Sequence, residues 1–144
     1  MESTNVAMVR RAFEEIDRGN TAVIAELIAP NFERHDLSQA FPEGAGLEKV
    51  LDYLGTLKRG LPDMRITIDQ IFGADDYVTV RYTFTGTHNG EVLGIAPTGR
   101  SVQVAGINIY RCKGGKVAET WQLGDWMGFL RQVDVSFEGM DTPG

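Results

Sequence analysis

Positive charge, cysteine and histidine are scarce in this sequence. Lysine and arginine together number 14 against 20 aspartates and glutamates, a formal net charge of −6 over 144 residues. A surface of that sign repels phosphates at long range, which argues against a nucleic-acid or anionic-membrane partner. Cys112 is the single cysteine, so an intrachain disulfide and a cysteine-paired zinc site are both excluded. Long apolar runs are missing as well. The longest apolar neighbourhood, Thr21 to Ala29, is interrupted by Glu26, and Met1 to Arg11 alternates polar and charged groups. No signal peptide and no membrane span are therefore expected, and the lone thiol suits a cytoplasmic location. There is no repeat, low-complexity tract or linker, so the expectation is one domain over residues 1–144, with only the ends, 1–3 and about 135–144, loosely held.

What is present is a change of period. Val6, Val9, Phe13 and Ile16 recur at three- and four-residue intervals behind the capping candidates Ser3 and Thr4, an amphipathic helix stopped by Gly19. Asn20 or Thr21 opens a second, with Val23, Ile24, Leu27 and Ile28 inward and Pro30 ending it. A third runs from about Gly46 to Lys58 on the stripe Leu47, Val50, Leu51, Leu54 and Leu57. From Met64 the period becomes two, in Arg65 to Ile68 and again in Tyr77 to Thr85. Two more strands, Ser101 to Cys112 and Lys116 to Leu123, meet at the hairpin Lys113-Gly114-Gly115, and a short helix from Trp126 to Gln132 follows. Helices followed by an antiparallel sheet define an α+β protein.

A sheet curled around helices leaves a hollow at its wide end, lined by alternate residues of each strand. On one face the last two strands carry Val102, Val104, Gly106, Asn108 and Tyr110 with Ala118, Thr120 and Gln122. On the other they carry Ile107, Ile109, Trp121 and Leu123. Both faces are bulky, so one is expected to close on the helices and the other on a second copy, giving a homo-oligomer through the sheet.

Gly86-Thr87-His88-Asn89-Gly90, Gly94 to Arg100, Asn108-Ile109-Tyr110-Arg111 with Gly114 to Val117, and Glu119-Thr120-Trp121 leading to Asp125 and Gly128 to Gln132 together resemble the SnoaL-like polyketide cyclase family. The resemblance implies a cone-shaped α+β barrel of the nuclear-transport-factor and ketosteroid-isomerase type, with N-terminal helices packed in a curved antiparallel or mixed sheet around a pocket. It also implies a cytoplasmic enzyme that uses no metal and no organic cofactor and closes a ring on an aromatic polyketide by an intramolecular aldol reaction. That chemistry needs a proton shuttle and a shaped cavity. A carboxylate in a dry pocket, its pKa raised from about 3.9 by desolvation, can take the carbon proton and return it to the attacked carbonyl oxygen.

The family places a histidine on the third strand and the acid/base aspartate on the fourth, just past Trp121; here those positions read Asn108 and Gln122. Amides donate and accept hydrogen bonds but do not ionise near neutral pH, so they can polarise a carbonyl without moving a proton. With Tyr82 and Tyr110 they are the candidate substrate-binding residues for a small hydrophobic or aromatic carbonyl compound. Candidates for the missing acid or base are His35, an imidazole beside Asp36 in a stretch the family puts at the cavity mouth, and Asp125, which either caps the last helix or reaches the cavity rim. His88 reads as a structural turn residue, and Arg81 and Arg111 as partners for carboxylates such as Asp69 or Glu119. Three functions remain open: a cofactor-independent cyclase, isomerase, hydrolase or hydroxylase; a non-catalytic domain that binds the same class of compound; and an assembly module that uses its sheet as an interface with another protein.

Overall fold

The computed structural model describes residues 2–41 and 43–135, and the expectation for the end 136–144 lies outside the described residues. Helix α1 (Thr4–Asp17) starts where Ser3 accepts a hydrogen bond from the Val6 amide at 3.2 Å, and it buries Val6, Val9 and Phe13. Its last residue, Asp17, accepts from the Ile66 amide (2.8 Å) and the Arg65 guanidinium (2.9 Å), which ties the end of the helix to the start of a strand.

The second helix is much shorter than its pattern predicts. A single 3₁₀ turn (Thr21–Val23) and one α turn, α2 (Ile24–Leu27), lead directly into strand β1 (Ile28–Asp36). Pro30 therefore sits inside a strand rather than ending a helix. It is tolerated because pairing is interrupted between Ile28 and Glu33, so the missing amide costs no ladder bond there. After β2 (Gly44–Ala45), helix α3 (Leu47–Gly60) lies across the open side of the sheet. The sheet continues with β3 (Arg65–Ala74), β4 (Tyr77–Thr87), β5 (Ser101–Lys113) and β6 (Lys116–Gly124), and α4 (Trp126–Gln132) closes the chain.

Six strands lie in the order β2-β1-β6-β5-β4-β3. Every pairing is antiparallel except β1 with β6, so the sheet is mixed. The unpredicted β1 is what makes it so. Register irregularities between Ile68 and Gln70 and between Arg111 and Cys112 add to the one in β1, and such bulges increase local twist and bend a sheet into a cone. The β5–β6 turn is Gly114-Gly115, with φ of 59° and 75°. Two successive positive φ values are what a tight hairpin of this twist needs, and only glycine adopts them freely.

The concave face holds α1 and the aromatic cluster of Phe41, Phe84, Trp126 and Phe129, whose rings meet at 4.8 to 5.6 Å. Among the described residues no helix is long and apolar enough to cross a membrane.

Candidate functional site

Strand alternation builds the site. Asn108 on β5 pairs in register with Gln122 on β6, and both are buried on the concave side, 8% and 6% exposed. They line a cavity with about 870 Å³ of empty space, its open mouth included. Its walls are apolar, from Val9, Phe13 and Ile16 of α1, Leu54 and Leu57 of α3, and Phe32, Met64 and Phe84. The polar groups are few: Arg34, Tyr53, Tyr82, Asn108, Tyr110, Thr120 and Gln122.

These groups are organised by one another. The Tyr82 hydroxyl donates to Asn108 Oδ1 at 3.2 Å, and Asn108 Nδ2 donates to the Tyr110 hydroxyl at 2.8 Å. One Asn108 N–H remains for a ligand, since a primary amide carries two. Gly106 makes this possible: it lies opposite Tyr82 in the β4–β5 ladder, and a Cβ there would collide with the Tyr82 hydroxyl. Phe13 packs on both phenols, at 5.6 Å from Tyr82 and edge-on at 6.0 Å from Tyr110.

Burial pushes all three phenols upward, Tyr53 to about 12 against the opposing pull of Arg34 and a hydrogen bond to Gln122, and Tyr82 and Tyr110 upward as well. They are neutral hydrogen-bond donors at physiological pH. Arg34 enters from β1, buried to 5% exposure, with its guanidinium carbon 4.6 Å from the centre of the Tyr53 ring. Among the described residues that line the cavity it is the one cation, and there is no carboxylate or imidazole.

The two expected acid/base candidates are not in this cavity. On β1 the inward residues are Phe32, Arg34 and Asp36, so parity turns His35 to the convex face, where it stacks on Trp121 (5.6 Å between ring centres, 24° between planes). Its Nε2 lies 2.8 Å from Glu119 Oε2. Asp125 is exposed and caps α4, accepting from the Gly128 amide at 2.9 Å. Neither side chain lines the pocket. Asp36 does point inward and is 1% exposed, but its oxygens accept from the Ser38 and Phe41 amides (3.0 and 2.9 Å) and the Ser38 hydroxyl, holding the turn after β1. His88 is fully buried, with Nδ1 3.0 Å from Thr98 Oγ1 and its ring against Phe129, where it anchors the loop between β4 and β5. Arg111 pairs with Glu119 (3.1 Å) and Arg81 with Asp69 (3.8 Å), both on the convex face.

Two polar lining residues escape the sequence reading. Tyr53 lies three residues from Val50 and four from Leu57, on the inward stripe of α3, and that spacing was its signal. Arg34 alternates with Phe32, but a charge at an inward position carries no hydrophobic signature.

A curved mixed sheet holding helices on its concave side, with a mostly apolar cavity and a short row of amides and phenols at its wall, defines a small-molecule pocket of the cone-shaped α+β class. Residues 7–133 match the model of the SnoaL-like polyketide cyclases, and the chain belongs to that family. It is 28% identical over 132 residues to the aklanonic acid methyl ester cyclase AcmA of Streptomyces galilaeus, covering 91% of each chain. Among solved structures, the SnoaL-like protein of Jannaschia sp. CCS1 superposes with a TM-score of 0.84 at 25% identity, over 94% of both chains. IdmH of Streptomyces antibioticus gives 0.78 at 28% identity, over 91% of this chain and 99% of that one.

Proposed function

We propose that this protein is a cofactor-independent enzyme that binds a flat, mostly apolar carbonyl compound of the aromatic polyketide class and closes a ring on it by stabilising an enolate. The observation that supports this most is the composition of the cavity wall among the described residues: one buried cation, neutral phenols and two amides, with no carboxylate or imidazole beside them. Such a wall is suited to holding negative charge on an oxygen, because donors fixed in a dry site need no reorganisation as charge develops. Arg34, Asn108 and Gln122 polarise the carbonyl, and Tyr82 and Tyr110 fix Asn108 in place. The carbon to be deprotonated lies between two carbonyls in substrates of this kind, so its proton is acidic enough to leave to water at the mouth once the enolate oxygen is held. The enolate carbon then bonds to the second carbonyl carbon, and the alkoxide left on that oxygen takes a proton back from water, so the ring closes with no net gain or loss of protons or electrons. His35 and Asp125 have no part in this reading, because neither faces the pocket.

The test is incubation with a methyl-ester anthraquinone precursor, followed by mass spectrometry and chromatography of the product. Conversion whose rate rises steadily with pH, without the fall on one side that a general acid imposes, supports the proposal. The missing carboxylate and imidazole also favour a second reading, a binding domain for the same compounds. Saturable binding with no product selects that one, and absence of both binding and conversion removes this class of ligand.

We also propose that a second copy of the chain covers the apolar end of the convex face. Ile107, Ile109 and Leu123 lie side by side there at 49%, 41% and 50% exposure, an apolar patch of the kind that marks an interface. Sedimentation equilibrium of the chain and of Ile109→Lys checks it; a monomer in both cases would overturn it.

A further inference from the structure

We propose that the polar end of the convex face is a divalent-cation site built by Glu33, His35 and Glu119, with zinc the best-fitting ion. Glu33 and His35 are two apart on β1 and so share a face, and Glu119 on β6 stands directly opposite Glu33 in the parallel ladder. One donor atom from each falls within 4.8 Å of the other two. His35 Nε2 is 2.8 Å from Glu119 Oε2 and 3.6 Å from Glu33 Oε2. Ligands about 2.0 to 2.2 Å from a tetrahedral zinc stand about 3.3 to 3.6 Å from each other, so the Glu33 separation already fits and the Glu119 carboxylate has to open by only about 0.5 Å. One imidazole and two carboxylates also match the ion's preference for nitrogen and oxygen donors, leaving a fourth position for water.

The surroundings of the three ligands carry the inference beyond a set of nearby acids. His35 Nδ1, the nitrogen turned away from Glu119, is faced by Glu43 Oε2 at 3.8 Å. That contact is too long for a hydrogen bond, but a carboxylate on this side is placed to accept the Nδ1 proton when an ion holds Nε2, as partners of metal-binding histidines do. Glu119 is oriented in turn by Arg111, whose Nε donates to Oε1 at 3.1 Å and leaves Oε2 for the ion. The Trp121 ring lies against the imidazole and restricts its rotation. Three carboxylates, Glu33, Glu43 and Glu119, gather around this ring, with Arg111 paired to one of them, and a divalent ion seated between Nε2 and the Glu33 and Glu119 oxygens offsets their mutual repulsion.

Because the chain has two histidines, side-chain ¹⁵N NMR reads the site directly, with buried His88 as internal control. Metal-free protein without an affinity tag is titrated with zinc chloride. The His35 Nε2 signal is expected to shift and saturate at one equivalent per chain, while His88 stays put. By calorimetry, His35→Gln abolishes that binding, Glu119→Gln weakens it at least 10-fold, and Glu43→Gln, acting only through the ring, weakens it about 10-fold. A His35 signal that is unmoved at millimolar zinc overturns the proposal. Equal zinc affinity in folded His35→Gln overturns it too. If that variant does not fold, the wild-type NMR titration decides alone.

Discussion

Strands β5 and β6 carry different chemistry on their two sides, although the residues alternate one by one. Inward stand Asn108, Tyr110, Thr120 and Gln122, neutral and buried or half-buried; outward stand Arg111 and Glu119 in an ion pair, with Ile107, Ile109 and Leu123 exposed beyond them. The inner groups had to be neutral or mutually bonded, because an unpaired buried charge costs several kcal/mol. The outer groups are free of that constraint. Chemical type therefore says less about position here than side of the sheet: His35 is the more reactive residue, yet Asn108 is the one that lines the cavity.

The sharpest way to break this contrast is by truncation. Phe84→Ala, on the inner face and 3% exposed, should lower stability by about 3 kcal/mol or more, whereas Ile107→Ala on the outer face should cost under about 0.5 kcal/mol in the isolated chain; equal losses in denaturant titrations would erase the distinction. Turnover gives the next test. Asn108→Leu should slow ring closure about 10²-fold, while His35→Ala and Asp125→Asn should keep the wild-type rate within about twofold. Alkaline pH probes the buried phenols of the inner face. Tyr53 is raised to about 12 by burial, so its folded form holds a proton that the unfolded chain releases near pH 10. That stability is complete below about pH 10 and is lost as pH climbs toward 12. Melting curves should show a fall across this window that Tyr53→Phe reduces. The smallest effect is that of Asp125→Ala, expected to cost about 1 kcal/mol as the loss of a helix cap, read by thermal melting with no change in ligand affinity.

Much of this arrangement was legible in advance, for a definite reason. A period of two is a geometric statement about which side chains share a face, and it places Asn108, Tyr110 and Gln122 together from the sequence, whereas Tyr82 is a candidate only as an aromatic suited to a flat ligand. The same rule failed at β1, because Pro30 and Asn31 interrupt the ladder and the inward set there includes Arg34 and Asp36, so no apolar alternation is visible. Missing that strand meant missing its parity, and His35 was expected at the mouth when its neighbour Arg34 is the residue that enters. Asp125 was undecided from sequence, since a cap and a rim residue occupy the same position in the chain; only the Gly128 amide distinguishes them.

The two-glycine turn at Gly114-Gly115 has a consequence larger than its size. It sets the phase of β6 against β5, and phase in a pleated ribbon is binary. A single inserted residue, if the ladder followed it, would exchange Gln122 and Thr120 for Trp121 and Glu119. The pocket would then be fouled by an indole and an acid, and its amides would be stranded in water. A few atoms of missing side chain at the far tip of a hairpin thus keep the interior and exterior of the cone from trading contents.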